Sequence, residues 1–310
     1  MSDPDPNEVH DWSGPVEGIG DDQPNVAVEP VDGGSRPRIA VAEALRNNWF
    51  EIWYQPKIDL KRKCLAGAEA LARIRHPQFG VLPPGSFLPD VDENSIAELA
   101  QQALVATLCD WEMFDQAGFN LHLAINVPAG VLFKLPIQQL VAEYRPKSAQ
   151  WPGLILEATE DQIVRDAALA QEMANQLRVS GLSIAIDGFG AGYTSFSALR
   201  DLPFAELKID HSFVTGCATD VANAAICQTA IDLAHRFGAA AVADGVEAAA
   251  DLQALMVKGC DFGQGSVIAP AMAKDRFLAL LKQRTNMSRP RPASPKDTMA
   301  VSPKAAGRVA

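Results

Sequence analysis

Long hydrophobic runs are missing from this sequence. It has no stretch of about 18 apolar residues that could cross a bilayer, and its acidic, polar amino terminus does not resemble a signal peptide. The five cysteines are odd in number and scattered, and the lack of a CxxC spacing argues against a zinc site or a disulfide framework. We therefore expect a cytoplasmic protein without membrane contact, whose thiols are buried in a reducing compartment.

Basic residues are also in short supply. The chain carries 27 Lys and Arg against 38 Asp and Glu, which gives a formal net charge of -11. A negative surface repels nucleic-acid phosphates and anionic lipid headgroups. The composition therefore argues against direct nucleic-acid binding through a broad basic surface.

Neither end of the chain has the composition of a folded domain. Residues 1–35 contain no Lys or Arg, nine acidic residues and recurrent Pro and Gly, so they cannot bury enough apolar surface to offset their ordering entropy. We predict a disordered acidic tail over 1–35, one folded domain over 36–284, and a disordered, Pro-rich basic tail over 285–310. Trp12 leaves two interpretations open: a motif that docks a protein partner, or part of a solvated tail.

Between the tails, strand-like apolar runs alternate with helical segments. Eight strands with intervening helices over about 250 residues are typical of a (β/α)8 barrel. The first two runs are joined only by the charged turn Lys61–Lys63, so we expect that pair to be antiparallel. The predicted fold is α/β, a TIM-like (β/α)8 barrel with one antiparallel strand. The predicted strands are Ile52–Asp59, Cys64–Arg73, Leu121–Val127, Leu154–Ala158, Leu182–Ile186, Glu206–Ile209, Ala239–Ala243 and Phe262–Ile268.

Local signals also place several helix ends. A helix is predicted around Ile39–Asn48. Ser95 with Glu98 indicates a capping box, which predicts a second helix that begins there and runs to about Ala117. Glycines stand where helix C-caps belong. They are Gly118, Gly181, Gly238 and Gly259.

The stretch Leu182–Phe196 has the features of a functional site. Its apolar run ends in Asp187, and glycines then let the backbone pass close to a ligand. Ligands of α/β sheets and barrels bind at the carboxyl ends of strands, which is where Asp187 lies. The alternative is that Asp187 only caps the next helix.

Polar residues recur at the ends of the other predicted strands. Because parallel strands of a barrel end at one mouth, we expect these residues to converge there. Buried carboxylates without partners would repel each other and take up protons, whereas Mg²⁺ or Mn²⁺ would accept them as oxygen ligands. Any one of them could instead be a structural cap. The set is Glu69, Asn126, Glu157, Asp187, Lys208 with Asp210, Asp244 with Glu247, and Gln264.

Several motifs, in one order, resemble the EAL domain of cyclic di-GMP phosphodiesterases. The triplet Glu69–Leu71 and the YQP of Tyr54–Pro56 are the first of them. The resemblance covers roughly residues 39–283. It implies a TIM-like barrel with one antiparallel strand, in agreement with the strand pattern described above. Further matching motifs are FLPDVDE (87–93), INV (125–127), LEATE (156–160), DGFGAGY (187–193), LKIDHSFV (207–214), VADGVE (242–247) and GCDFGQG (259–265).

The resemblance implies hydrolysis of one phosphodiester of cyclic di-GMP to linear pGpG with two Mg²⁺ or Mn²⁺ ions, and it points to a homodimer formed near the glycine loop. It makes Glu69, Asn126, Glu157 and Asp187 ligands of the first metal. It gives catalytic roles to three further residues, of which Lys208 positions water, Asp244 serves the second metal, and Glu160 braces the glycine loop. The residues it implies for holding the dinucleotide are Gln55, Leu71, Arg73, Asp210, Glu247 and Gln264.

Three positions depart from the family pattern. The family's DDFG has Gly188 for its second aspartate, and its AEGVE has Asp244 for a glutamate. Both changes fall on ligands that the family uses for the second metal. Its QGY has become Gln264-Gly265-Ser266, which removes an aromatic ring.

Three functional hypotheses follow from these departures. The first is a receptor or effector that binds cyclic di-GMP with weak or absent hydrolysis. The second is a working phosphodiesterase that tolerates Gly188. The third is an interaction scaffold that no longer binds the nucleotide, against which the retained Gln55, Arg73 and Glu69 argue.

We predict that the tails are dispensable for folding. A chain shortened to residues 36–288 is expected to melt within about 2 °C of the full chain, a difference below about 1 kcal/mol, and to bind cyclic di-GMP equally well. Thermal unfolding and titration calorimetry on the two chains measure this. A shortened chain that melts much earlier would show that a tail docks on the barrel.

Overall fold

A computed structural model describes residues 37–89, 91–132, 134–159, 167–192, 199–200 and 202–288. The acidic tail predicted over 1–35, and the part of the basic tail beyond Ser288, lie outside the described residues. The last described helix runs to Ser288, past the predicted domain boundary at residue 284. None of the helices in these ranges is long and apolar enough to cross a membrane.

A closed barrel forms the centre of the molecule. Eight strands pair in the order β1, β2, β4, β5, β6, β7, β8 and β9, and β9 pairs with β1 to complete the circle. Two short strands, β3 and β10, extend the sheet beside β2 and β1. In chain order the strands are β1 Phe50–Asp59, β2 Cys64–His76, β3 Gly80–Leu82, β4 His122–Asn126, β5 Leu154–Thr159, β6 Leu182–Phe189, β7 Glu206–Ile209, β8 Ala240–Ala243, β9 Phe262–Gly263 and β10 Met272–Ala273.

Strand β1 runs against both of its barrel neighbours. It is antiparallel to β2 and to β9, whereas every pair from β2–β4 through β8–β9 is parallel. The predicted TIM-like barrel with one antiparallel strand is thus confirmed. The short turn between β1 and β2 leaves no length for the crossover that parallel pairing needs.

Helices pack around the barrel and bury one apolar core against it. Trp111, Phe114 and Phe277 are fully buried between helices and strands, where Tyr54 contacts both phenylalanine rings. The helices are α1 Val41–Arg46, α2 Glu93–Gln116, α3 Ala129–Leu132, α4 Ile137–Tyr144, α5 Ala167–Val179, α6 His211–Val214, α7 Val221–Arg236, α8 Ala249–Lys258 and α9 Lys274–Ser288, with a 3-10 turn at Pro84–Ser86.

Two local predictions were wrong. Helix α2 begins with Asp92 as its N-cap, whose carboxylate accepts hydrogen bonds from the backbone of Asn94 and Ser95, both at 3.0 Å; the expected capping box starting at Ser95 does not form. The strand predicted over Phe262–Ile268 stops at Gly263. Turns replace it, because Ile268 and Ala269 both donate to the carbonyl of Gly265 at 3.1 Å.

At Gly67 the backbone of β4 lies against β2 where a side chain would stand. A Cβ at this position would lie 2.0 Å from the carbonyl oxygen of His122, a backbone atom that cannot move without displacing β4. The strand pairing therefore requires a residue without a side chain here.

We predict that Gly67→Ala destabilises the barrel by about 2 kcal/mol, because the added methyl group overpacks the β2–β4 pair. The matched control is Gly85→Ala, whose added Cβ meets no atom within 4 Å and which should change stability by less than about 0.5 kcal/mol. Urea unfolding of both variants measures the difference. Equal stabilities would contradict the close packing of β2 on β4.

Candidate functional site

The side chains predicted at the strand ends meet around the ammonium group of Lys208. This lysine lies on β7 and is 1% exposed. Its Nζ lies 2.6 Å from Glu157, 3.1 Å from Glu69, 3.3 Å from Asp187 and 4.0 Å from Asp244. These carboxylates come from β5, β2, β6 and the end of β8, so one cation joins four strands at the barrel mouth.

Two amides hold Glu69 in place. Asn126, at the end of β4, donates to Glu69 Oε1 at 2.5 Å, and Gln264, after β9, donates to Glu69 Oε2 at 2.5 Å. The Gln264 amide also donates to Asp244 Oδ1 at 2.9 Å. Glu69, Glu157 and Gln264 are buried, and Gln264 Oε1 has no hydrogen-bond partner among the described residues.

The carboxylates differ in their protonation because their surroundings differ. Burial favours the neutral form of Glu69, but the Lys208 ammonium and the hydrogen bonds outweigh it and lower its pKa to about 2. Burial and the neighbouring Glu69 charge raise the pKa of Glu157 well above its usual value. Burial also raises the pKa of Asp244. One lysine therefore cannot keep all the neighbouring carboxyl groups ionised, and the raised pKa values of Glu157 and Asp244 are the consequence.

A second buried ion pair lies deeper in the barrel. Lys57 of β1 donates to both oxygens of Glu206 at 2.6 and 2.7 Å, and both side chains are buried. Glu206 and Lys208 are two positions apart on β7, so they point to the same side, the barrel interior. Sequence analysis did not identify this pair. A signal was present, since Lys57 stands between Pro56 and Ile58, and Glu206 between Ala205 and Leu207.

An irregularity in β6 presents Asp187 to the cluster. The pairing of β6 with β7 shifts between Ile186 and Phe189, and Gly188 within this shift has a φ of +68°. A Cβ at Gly188 would lie 3.9 Å from Asp210 Oδ2. Gly188 thus leaves open the place where a carboxylate would stand beside Asp210.

The residues predicted to hold a dinucleotide extend above the cluster on β1 and β2. Gln55 pairs with Glu69 across the strands, and Leu71 and Arg73 follow on the same face of β2. Gln55 donates to the Ala269 carbonyl at 3.4 Å, and Arg73 donates to the Ala72 carbonyl at 2.9 Å. Burial lowers the pKa of Arg73, yet an arginine stays charged in proteins.

Two predicted site residues lie apart from this cluster. Asp210 caps α6 and accepts hydrogen bonds from the backbone and hydroxyl groups of Ser212. Glu247 is exposed after β8. Glu160 lies outside the described residues. Within the described ranges, no three His, Cys, Asp or Glu side chains are arranged to hold one metal ion as they stand, because the Lys208 ammonium lies among them.

Comparison with known proteins gives the same family as the motifs. Residues 38–271 match the EAL domain family. Cyclic di-GMP phosphodiesterase RocR of Pseudomonas aeruginosa is 33% identical over 245 residues, which cover 78% of this chain and 62% of that protein. Cyclic di-GMP phosphodiesterase PA2567 of the same organism is 33% identical over 230 residues, covering 74% of this chain and 39% of that protein.

The match thus spans less than two thirds of the length of these two relatives. Among solved structures, PaMucR phosphodiesterase in its cyclic di-GMP complex superposes with a TM-score of 0.70 and 30% identity. That likeness covers 76% of this chain and 97% of the other. Sequence motifs, barrel topology and the family match agree, and the chain belongs to the EAL domain family.

Proposed function

We propose that the protein binds cyclic di-GMP in the barrel mouth and hydrolyses it slowly or not at all, so that it acts as a receptor in cyclic di-GMP signalling. One observation carries this proposal. Four carboxylates surround Lys208, whereas Gly188 leaves the neighbouring position beside Asp210 without a carboxylate. The site therefore keeps the residues proposed to bind the nucleotide and lacks one carboxylate proposed to take part in hydrolysis.

The strand face above the cluster supports nucleotide binding. Arg73 carries a forked set of donors that suits a phosphate group, and it lies on the same strand and face as Glu69. Gln55 and Leu71 flank the same path and provide a polar and an apolar contact. These residues would hold the dinucleotide with its phosphates toward the mouth.

The donor set also fits a divalent cation in type and in charge. Glu69, Asn126, Glu157 and Asp187 offer only oxygen ligands of the kind that Mg²⁺ and Mn²⁺ accept. Four carboxyl groups face one ammonium, so a bound cation would meet carboxyl groups that the lysine alone does not keep ionised. A bound cation would supply Lewis-acid stabilisation of charge on the phosphodiester. The buried, unpartnered Gln264 Oε1 also supports a polar occupant of this space.

The weak hydrolysis follows from the surroundings of Asp210 and Asp244. Asp210 is engaged as a helix cap, and without a carboxylate at Gly188 it has no acidic neighbour there. Asp244 accepts a hydrogen bond from Gln264 and is one methylene shorter than a glutamate. Neither residue can make up for the missing carboxylate, and each lost tenfold in rate is about 1.36 kcal/mol of transition-state stabilisation.

An active phosphodiesterase is the second candidate. Lys208 lies among the carboxylates of Glu69, Glu157 and Asp187, where it could orient a water molecule against a bound phosphate. The named relatives are phosphodiesterases. The dimer face beside the glycine loop and a protein partner held by the tails stay predictions.

We predict that Gly188→Asp combined with Asp244→Glu restores pGpG production at saturating Mn²⁺. The gain should exceed the product of the two single gains by about tenfold, because both changes serve one ion. The new aspartate must adopt a φ of +68°, which costs about 1 kcal/mol but is more accessible to Asp than to most residues. The measurement is a four-corner cycle of parent, two single variants and the double variant.

The matched control is Gly238→Asp, at a glycine with a φ of +73° and open space around its Cβ. It introduces the same backbone cost away from the mouth and should leave turnover at the parental level. An inert double variant would place the defect elsewhere, with Ser266 the next position to change. Robust turnover by the parent would overturn the receptor assignment.

A stability measurement tests the proposed cation. Lys208→Met leaves Glu69 and Glu157 without their ammonium partner, and we predict a loss of about 3 kcal/mol in a metal-free buffer. Added Mg²⁺ should recover more stability in this variant than in the parent, because the cation binds the folded form of a more negative cluster. Urea unfolding with and without Mg²⁺ measures both effects.

The control for that measurement is Lys57→Met, which leaves the buried Glu206 without its partner in the same way. It should lose a similar amount of stability but gain nothing extra from Mg²⁺, because its pair involves one carboxylate rather than four. Equal responses of the two variants to Mg²⁺ would contradict a cation at the mouth.

A further inference from the structure

Strands β1 and β2 carry an aromatic ring that the proposed function leaves without a role. Trp53 lies on β1 two residues from Gln55, so both side chains point to the same face. It pairs with Leu71 of β2 on one side and Ala273 of β10 on the other. Its neighbours across the strands are thus an aliphatic side chain and a methyl group, and Trp53 itself is only partly buried.

The orientation of the Trp53 ring is fixed from one edge. Its Nε1 donates to Glu51 Oε1 at 2.6 Å. Arg75 in turn holds the same carboxylate through two hydrogen bonds of 2.9 Å each. A ring fixed by a charged partner loses little freedom when a ligand stacks on it, which favours binding.

A cation covers part of the same ring. The guanidinium carbon of Arg73 lies 5.9 Å from the centre of the Trp53 ring, within the range of a cation–π contact. The flat ring and the charged fork are therefore in contact on the strand face that also carries Glu69. A purine base next to a phosphate has the matching pair of features, a flat π-system and a negative charge.

We infer that Trp53 is the platform on which one guanine base of cyclic di-GMP stacks, with Arg73 beside it for the adjoining phosphate. This inference rests on the proposed binding function. Stacking of one base on an aromatic side chain contributes about tenfold to a hundredfold in affinity. The same contribution explains why a half-buried tryptophan stands in the middle of this strand face rather than another aliphatic residue.

The test is titration calorimetry of cyclic di-GMP with Trp53→Leu and Trp53→Phe. Leucine keeps apolar bulk but removes the π-face, so affinity should fall by about tenfold or more. Phenylalanine keeps a ring for stacking and should bind within a few-fold of the parent. Ligand-induced quenching of tryptophan emission should be present in the parent and lost in Trp53→Phe, although that variant still binds.

The matched control is Trp151→Leu, because Trp151 also has an arginine over its ring, Arg145 at 6.0 Å, but precedes β5 at the opposite end of the barrel. Its affinity should equal that of the parent. If the parent binds and Trp53→Leu binds equally well with the same melting temperature, the stacking role is wrong while the proposed function stands. If the parent itself binds no cyclic di-GMP, the proposed function fails and the stacking role fails with it.

Discussion

A single buried ammonium group among four carboxylates is the constraint on which this structure depends. Lys208 can be charged inside the barrel only because Glu157, Glu69, Asp187 and Asp244 surround it, and burial without such partners would favour the neutral amine. The carboxylates in turn need a cation, and one lysine does not balance them. The mouth is therefore built to attract further positive charge, which is the property that a phosphate site with metal ions requires.

The second ion pair shows how the barrel holds this cluster. Lys57 and Glu206 form an ion pair deeper in the interior. The inward face of β7 therefore carries a one-to-one ion pair inside the barrel and, at the mouth, one lysine facing four carboxyl groups. Breaking a buried pair costs about 3 kcal/mol or more, which makes both layers resistant to rearrangement. The strands position the site residues, and the ion pairs made by Lys57 and Lys208 in turn hold β7 to β1, β2 and β5.

Much of this arrangement could be predicted from the sequence. The strand Glu206–Ile209 has the bounds that its apolar pattern indicated, and Glu69, Glu157, Asp187 and Asp244 were expected at one mouth because parallel strands end there. The Lys57–Glu206 pair and the Trp53 ring were missed. Each depends on which residues face each other across strands, and the pattern of one strand alone does not give its register against the partner strand.

The two local errors have other causes. The run Phe262–Ile268 mixes three apolar residues with glycine, Gln264 and Ser266, and such a short mixed run does not separate a strand from a buried turn. Asp92, and not Ser95, is the N-cap of α2 because its carboxylate accepts hydrogen bonds from two backbone N–H groups, those of Asn94 and Ser95. Gly188 was identified from the sequence as the position of a lost carboxylate. The structure shows in addition that its φ of +68° is a backbone conformation that favours glycine.

The most direct test of the account is titration calorimetry of the unmodified protein with cyclic di-GMP and Mg²⁺ or Mn²⁺, followed by chromatography of the recovered nucleotide. We predict measurable binding and a ligand recovered intact after many times the period in which an active phosphodiesterase would consume it. Binding with rapid conversion to pGpG would contradict the receptor assignment. The absence of any binding would contradict the assignment of this barrel mouth as a cyclic di-GMP site.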